Sequence, residues 1–259
     1  MEEIARAAGA VLRKHHLARG RAGLRVRTKG TPTDLVTEVD KKAEAVVKKM
    51  IADAYPDHGI VSEEGAAANP RAQTVWYVDP LDGTTNFVHG YPHFAVSIAV
   101  VHRGKTVVGC VYDPIRDELF LAASGGGAFL NGRPMHVSAT RSLGRSLLAT
   151  GFPYDLRESP ENNLDFWSAF AFRARALRRD GSAALNLCYV AAGRFDGFWE
   201  MKLKPWDMAA GMLMVEKAGG RLSDFGGGPA GIFLPEVVAD NGRIHRQMLD
   251  VLRQVASGR

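Results

Sequence analysis

The sequence contains little cysteine and no long apolar segment. Two cysteines occur among 259 residues, Cys110 and Cys188, and neither belongs to a Cys or His pair with zinc-binding spacing. Both are expected to be buried thiols, and no disulfide is expected between them in a reducing compartment. The apolar run at 94–101 is too short to span a bilayer. The sequence therefore argues against a disulfide-stabilised scaffold, a zinc module and a membrane-spanning protein.

The first residues do not resemble an export signal. Met1, Glu2 and Glu3 place acidic groups where a secretory signal has basic ones, and no apolar core segment follows them. The chain is 46% hydrophobic and 24% charged, which is typical of a globular protein with a substantial core. We therefore expect a cytoplasmic protein that does not associate with membranes.

Basic residues are in excess, and the net charge is +5. Much of the excess lies in residues 1–30, and such a segment can bind nucleic acid. No aromatic residues alternate with the basic ones, as a surface that stacks bases requires. We interpret Arg21, Arg25 and Arg27 as solvated surface and expect no nucleic-acid partner. Binding to RNA or to the transcription apparatus is the alternative from a different functional class.

Hydrophobic periodicity predicts a change of architecture near residue 145. Residues 2–19 and 37–54 have the spacing of amphipathic helices, and Thr37 is a candidate N-cap. Short β-type runs at 59–62, 74–78, 95–101, 107–112 and 118–122 predict a mostly antiparallel sheet.

Beyond residue 145, strand-like and helical runs alternate. The predicted strands are 146–150 and 195–200, and the predicted helices are 162–175, 183–192, 206–218 and 243–255. We predict an N-terminal α+β lobe over residues 1–145 and a C-terminal α/β lobe over residues 146–259. An aromatic stripe from Phe166 to Phe172 is expected in the core or at a dimer contact.

The segment 79–84, with the sequence Asp-Pro-Leu-Asp-Gly-Thr, is the most informative part of the chain. It follows the apolar run 75–78, so Asp79 is expected at a strand end, where sites often lie in layered α/β folds. Two carboxylates and the Leu81 carbonyl offer three hard oxygen donors in one short segment. The following backbone N–H groups are suited to an anion. Taken alone, the segment could equally be an acidic turn that caps a helix.

Further acidic residues are candidates for the same site. Glu63 and Glu64 follow another strand-like run, and Asp207 stands at the start of a predicted helix. Asp40 lies in the first turn of the helix predicted from residue 37. Each has a structural alternative, because acidic side chains near a helix N-terminus are favoured as caps and by the helix dipole.

Together these segments resemble the inositol monophosphatase family, the lithium-sensitive, metal-dependent phosphatases. The first family signature matches residues 79–87, and the second matches 206–211 and its continuation at 216–220. The acidic pair at 63–64 and the segment 34–40 match in order and spacing. The resemblance covers nearly the whole chain. It implies the sugar phosphatase fold, a layered α-β-α-β-α sandwich, and a homodimer.

The resemblance also implies a metal site. One Mg²⁺ would be held by Glu63, Asp79 and the Leu81 carbonyl, and a second by Asp79, Asp82 and Asp207. Two or three Mg²⁺ per site are implied, with Mn²⁺ as a possible substitute. The chemistry of the residues agrees, because a donor set made only of oxygen favours Mg²⁺ or Mn²⁺ over Zn²⁺.

The remaining roles concern water and substrate. The resemblance implies that Thr84, oriented by Asp40, positions or helps to deprotonate the attacking water, with Glu63 close to it. The residues that would bind substrate are Lys29, Asp82, Gly83, Thr84, Arg178, Gly181, Ser182, Ala183, Glu200 and Asp207.

The expected reaction is Mg²⁺-dependent hydrolysis of myo-inositol monophosphate to inositol and phosphate by metal-activated water. Phosphate ester hydrolysis requires mainly positioning and charge neutralisation from the protein, which two cations can supply. The segment 85–87 resembles the inositol branch of the family rather than its nucleotide branch. Dual specificity for fructose 1,6-bisphosphate and inositol monophosphate is the enzymatic alternative.

Overall fold

The computed structural model describes residues 1–18, 26–29 and 31–258. Arg21 and Arg25 of the basic segment lie outside the described residues. The helices are α1 (Glu2–Leu17), α2 (Glu38–Ala54), α3 (Thr84–Val88), α4 (Leu164–Ala171), α5 (Ala183–Ala191), α6 (Pro205–Lys217) and α7 (His245–Ser257), with a 3₁₀ turn at Leu143–Arg145. The strands are β1 (Val26–Thr28), β2 (Leu35–Thr37), β3 (Gly59–Ser62), β4 (Thr74–Asp82), β5 (Ala95–His102), β6 (Lys105–Asp113), β7 (Glu118–Ala123), β8 (Ala128–Leu130), β9 (Arg133–Pro134), β10 (Leu147–Thr150), β11 (Ala176–Arg178), β12 (Gly197–Met201), β13 (Arg221–Ser223) and β14 (Glu236–Asp240).

Two large sheets organise the molecule. The first has seven strands in the sequential order β3 to β9, and its pairs are antiparallel except for β3 with β4. The second has five strands in the order β11-β10-β12-β14-β13, with parallel pairs on both sides of β10. The mostly antiparallel N-terminal sheet predicted from the sequence is confirmed.

Three apolar cores separate five layers. Helices α1 and α2 pack on one face of the seven-stranded sheet. Helices α5 and α6 fill the layer between the two sheets, where the largest core lies. Helices α4 and α7 cover the outer face of the five-stranded sheet. This arrangement is the α-β-α-β-α sandwich that the resemblance implied.

Close packing in the central layer depends on a glycine. A Cβ atom on Gly109 of β6 would lie 2.8 Å from the carbonyl oxygen of Ala210 on α6. Only glycine lets the helix backbone approach the sheet so closely. The first residues of α6 are thereby held near the end of β4, which is where the acidic segment 79–82 lies.

Most predicted elements occur with shifted boundaries. The helix predicted at 162–175 is shorter, because α4 runs from Leu164 to Ala171. Seven short strands were not predicted, namely β1, β2, β8, β9, β11, β13 and β14, since short runs carry little periodicity. The division into two domains between residues 145 and 146 stays a prediction.

The aromatic stripe is divided between the core and the surface. Phe166 and Phe170 are buried, and the Phe170 ring lies 4.1 Å from that of Trp199. Phe172 is 87% exposed.

Both cysteines are buried free thiols, as expected. No helix in the described part of the chain is long and apolar enough to cross a membrane.

Candidate active site

A cavity of about 400 Å³ brings together polar residues from both halves of the sequence. Its lining from the first half includes Lys29, Thr31, Asp34, Glu63, Asp79, Asp82, Thr84 and Thr85. Its lining from the second half includes Tyr154, Asp155, Arg179, Ser182, Asn186, Glu200, Lys202, Lys204 and Asp207. Acidic residues that are distant in the sequence therefore line the same cavity.

Strand β4 delivers the two aspartates of the first motif. Its pairing with β5 shifts register between Asp79 and Asp82. An irregularity of this kind re-aims side chains at a strand end. The Asp79 Oδ1 atom accepts a 2.9 Å hydrogen bond from the Leu81 N–H, which fixes the turn. Asp79 and Leu81 are almost fully buried and line the cavity.

Glu63 is placed beside Asp79 by the parallel pair of β3 and β4. The Glu63 N–H donates to the Val78 carbonyl at 3.1 Å, so the chain leaves β3 next to the end of β4. Lys29 Nζ donates to Glu63 Oε1 at 2.8 Å and also bonds to Glu64. Burial raises the pKa of Glu64 to about 7, although Lys29 opposes the rise.

Asp82 joins the two halves of the site. Its Oδ2 atom accepts a 2.9 Å hydrogen bond from the Ala184 N–H and another from the Ser182 hydroxyl. These donors belong to the N-terminal turn of α5, whose dipole favours a carboxylate. Ser182 also caps α5 through the Leu185 N–H. The predicted substrate segment 181–183 is therefore held against the predicted metal motif.

Asp207 enters the cavity from the first turn of α6. Its Oδ2 atom accepts a 2.7 Å hydrogen bond from the Lys204 N–H, as in a capping box. Asp79, Asp82 and Asp207 are thus each fixed through one carboxylate oxygen by a backbone N–H. This suits a ligand that binds a cation through its other oxygen, since metal-binding carboxylates are usually held by a hydrogen bond.

The four carboxylates carry strong mutual repulsion. Burial raises the pKa of Asp79 well above its usual range, and the charges of Glu63, Asp82 and Asp207 raise it further. Burial likewise raises the pKa of Asp207, and that of Asp82 to about 6. Among the described residues, no three His, Cys, Asp or Glu side chains already have the positions that would hold a metal ion. Lys29 neutralises part of the charge at Glu63, whereas Asp79, Asp82 and Asp207 form no salt bridge within the described residues, and their acidic oxygens fit a hard divalent cation.

Thr84 and Asp40 form a hydrogen-bonded pair at the edge of the carboxylate cluster. The Thr84 hydroxyl lies 3.1 Å from Asp40 Oδ1 and 3.0 Å from the Leu81 carbonyl oxygen. Asp40 is held through its other oxygen by the Thr37 N–H at 2.9 Å and by the Thr37 hydroxyl. Thr37 is the N-cap of α2, as predicted. Burial raises the pKa of Asp40, and the bonds from Thr37 oppose that rise.

The far side of the cavity is formed by β12 and the residues after β10. Glu200 lines it, and burial raises the pKa of Glu200 to about 8. Lys202 does not neutralise Glu200, because its Nζ binds Asp155 Oδ2 at 2.6 Å. A Cβ on Gly151 would lie 2.0 Å from Glu200 Oε1, so glycine is required for Glu200 to occupy this position.

Comparison with known proteins agrees with this geometry. The sequence profile of the "Inositol monophosphatase family" matches residues 1–257. The chain belongs to the inositol monophosphatase family. The Nus factor SuhB of Escherichia coli K12 is 48% identical over 86% of this chain and 84% of its own length. The inositol-1-monophosphatase of Synechocystis is 45% identical over 88% of this chain and 79% of its own.

A solved structure of a family member shows the same architecture. The extragenic suppressor protein suhB from Bartonella henselae superposes with a TM-score of 0.91 at 43% identity. The match covers 98% of this chain and 97% of that chain. The layered fold of the inositol monophosphatase family is therefore shown for almost the full length of the sequence.

One predicted site residue of this family member lies outside the cavity. Arg178 is exposed on the edge strand β11 and donates to the Leu177 carbonyl at 2.9 Å. Arg179 lines the cavity instead. Strand β11 ends at Arg178, so Arg179 lies in the segment between β11 and α5, which borders the cavity. The other predicted site residues line the cavity, except Asp40, which reaches it through Thr84.

Several cavity residues carried no recognised signal in the sequence. Gly151 and Asn186 are examples, because an isolated glycine or asparagine is typical of many turns and helices. Tyr154 is another, and it borders the cavity although the residue is 55% exposed. Its backbone carbonyl accepts a 2.7 Å hydrogen bond from the Thr33 hydroxyl, which links the segment after β10 to the loop that follows Lys29.

Proposed function

We propose that this protein is a Mg²⁺-dependent phosphatase that hydrolyses a small phosphorylated polyol, with myo-inositol monophosphate as the best candidate. The observation that carries the proposal is the meeting of four carboxylates in one cavity beside Thr84. They are Asp79 and Asp82 of β4, Glu63 just after β3, and Asp207 of α6. Inositol-1-monophosphatase of Synechocystis, at 45% identity, supports the same substrate class.

The residues proposed to hold Mg²⁺ are Glu63, Asp79, Asp82, Asp207 and the Leu81 carbonyl. Bound Mg²⁺ would supply positive charge that acidifies water and neutralises the phosphate oxygens. The donor set is entirely oxygen, which suits Mg²⁺ and also Mn²⁺. The number of ions, two or three, and the homodimer implied by the resemblance stay predictions.

We assign the attacking water to Thr84. The Thr84 hydroxyl hydrogen is directed towards Asp40 or the Leu81 carbonyl, so its oxygen lone pairs remain to accept a hydrogen bond from water. Asp40 can accept the proton of the Thr84 hydroxyl while the Thr84 oxygen takes a proton from that water. The water oxygen forms the new bond to phosphorus as the bond from phosphorus to the ester oxygen breaks, and the polyol leaves as an alcohol after its oxygen takes a proton from solvent. Catalysis of this kind rests on placing the water in line with the leaving oxygen.

The substrate is proposed to span the cavity from the carboxylate cluster to Glu200. Lys29 lies beside Glu63 and lines the same cavity. Gly83, which precedes Thr84, also lines it and has a φ of +96°, a conformation that glycine adopts without strain. Gly181, Ser182 and Ala183 border the position of the polyol, and Glu200 faces it from β12. A carboxylate accepts hydrogen bonds from vicinal hydroxyls, which suits a polyol and does nothing for the phosphate.

A turnover assay tests the proposal directly. Purified protein with Mg²⁺ is compared on inositol 1-phosphate, fructose 1,6-bisphosphate and glycerol 2-phosphate, with EDTA as the control. Inositol 1-phosphate should give the highest kcat/KM. A higher kcat/KM for fructose 1,6-bisphosphate would favour the dual-specificity alternative, and full activity in EDTA would overturn the metal site.

A second candidate function is association with the transcription apparatus. Relatives named "Nus factor SuhB" are 44–48% identical to this chain, and the net charge is +5. These relatives count against our expectation that no nucleic-acid-associated partner exists. Retention of RNA polymerase by immobilised wild-type protein and by the Asp79→Asn variant tests the idea. Equal retention by both would assign a function separate from hydrolysis, and no retention at physiological salt would remove this candidate.

A further inference from the structure

Asn186 is a buried polar side chain without a partner. It lies on the first turns of α5 and is 1% exposed. Neither its Nδ2 atom nor its Oδ1 atom has a hydrogen-bond partner within the described part of the chain. Asn186 is also one of the residues that line the cavity of the carboxylate cluster. Buried amides are nearly always satisfied, so this one points to a bound molecule.

Two other buried asparagines show what a structural role looks like here. Asn163 is fully buried, its Nδ2 atom donates to the Gly151 carbonyl at 2.6 Å, and its Oδ1 atom accepts from Trp199 Nε1 at 2.8 Å. Asn241 binds the Ser138 hydroxyl and the Arg243 N–H in the same way. Asn186 differs from both, because its amide makes no hydrogen bond to any of the residues that the structure describes.

The position of Asn186 on α5 aims it at the polyol part of the cavity. Residues three and four apart share one face of a helix, so Asn186 lies on the face of Ser182 and Ala183. Both of those residues line the cavity, and Ser182 binds Asp82. Helix α5 also packs against β12, which carries Glu200. Asn186 therefore belongs to the wall between the carboxylate cluster and Glu200.

We propose that Asn186 hydrogen-bonds a hydroxyl group of the substrate polyol and so contributes to its selection. The inference rests on the proposed phosphatase function and adds a residue to its recognition site. An amide donates and accepts hydrogen bonds at any pH, whereas Glu200 can donate only while its carboxyl is protonated. Asn186 can therefore donate to the oxygen of a polyol hydroxyl whose own hydrogen points to another acceptor. Recognition of this kind discriminates strongly, because an analogue without the hydroxyl leaves the buried amide unpaired.

The test compares Asn186→Leu with Asn186→Ala and with Asn241→Leu as the matched control. Leucine matches asparagine in shape, and Asn186→Ala avoids any obstruction of the cavity. Both Asn186 variants should lower kcat/KM for inositol 1-phosphate by roughly tenfold, with a change within about twofold on glycerol 2-phosphate. Asn186→Leu should melt at or above the wild-type temperature, whereas Asn241→Leu should melt lower because it loses bonds that support the fold.

A binding measurement provides a readout without turnover. Addition of myo-inositol with phosphate and Mg²⁺ should raise the melting temperature of the wild type more than that of either Asn186 variant. Unchanged discrimination between the two substrates in both variants would overturn the inference. An equal loss on both substrates would also overturn it and would make Asn186 a support of the metal site. Failure of the wild type to hydrolyse inositol 1-phosphate would instead refute the proposed function.

Discussion

Asp82 Oδ2 accepts a 2.9 Å hydrogen bond from the backbone N–H of Ala184, a residue 102 positions further along the chain. The bond places the last acidic residue of β4 at the N-terminus of α5. It connects the group proposed to bind Mg²⁺ with the segment proposed to border the polyol. A displacement of α5 would therefore disturb both the charge cluster and the recognition of the substrate.

Replacement of Asp79 should abolish activity while preserving the fold. We expect Asp79→Asn to lower kcat/KM by roughly a thousandfold or more, since one of the buried acidic ligands is lost. Mg²⁺ should raise the melting temperature of the wild type and raise that of the variant less. Phosphate release and thermal unfolding with and without Mg²⁺ measure both effects. Asp53→Asn, at an exposed carboxylate paired with Lys49, is the control and should behave as the wild type.

Thr84 should affect turnover more than substrate affinity. Thr84→Ala removes the hydroxyl that lies 3.1 Å from Asp40 Oδ1, and we expect kcat to fall by roughly a hundredfold or more. Thr84→Ser keeps the hydroxyl and should retain most of the activity. Steady-state kinetics on inositol 1-phosphate separate the two parameters. A raised KM with unchanged kcat in Thr84→Ala would make Thr84 a phosphate ligand only.

Glu200 should select for the polyol. We expect Glu200→Gln to lower kcat/KM for inositol 1-phosphate by roughly tenfold, or ~1.4 kcal/mol, and to affect glycerol 2-phosphate less. Parallel assays on the two substrates check this. Equal losses would show that Glu200 supports the metal site or the fold.

The raised pKa of Glu200 also predicts a pH dependence of stability. Burial raises this pKa to about 8, from an ordinary value of 4.5, so the folded state binds the proton more tightly than the unfolded state does. The contribution of Glu200 to the free energy of unfolding should therefore fall as the pH rises from 4.5 to about 8. Urea unfolding in EDTA should show a smaller decrease over this range for Glu200→Gln. Identical pH dependences would contradict the assignment.

Gly151 should be as important as Glu200 although it has no side chain. In Gly151→Ala the new Cβ atom would lie 2.0 Å from Glu200 Oε1, so the carboxylate must move. We expect a loss of discrimination between the two substrates of roughly the size seen for Glu200→Gln. Gly125→Ala, where a Cβ atom meets no neighbour within 4 Å, is the control. Wild-type kinetics in Gly151→Ala would show that the exact position of Glu200 is unimportant.

The sequence by itself determined the local features of this protein. The strand before Asp79, the Thr37 cap and the apolar faces of the first two helices are local patterns, so they were predicted correctly. The acidic segment 79–84 and its oxygen donors were also evident, because their spacing is short. Two long motifs placed the chain in its family, and with it the layered fold.

Only the tertiary structure decided which distant residues meet. The bond from Ala184 to Asp82 and the clearance that Gly151 leaves for Glu200 depend on the packing of separate layers. No local periodicity encodes such contacts. That Arg179 and not Arg178 lines the cavity has the same origin, since Arg179 follows the end of β11 and its place depends on how the segment before α5 packs. Asn186 was not recognised for a related reason, because the absence of a partner becomes visible only when every neighbour of a buried amide is in place.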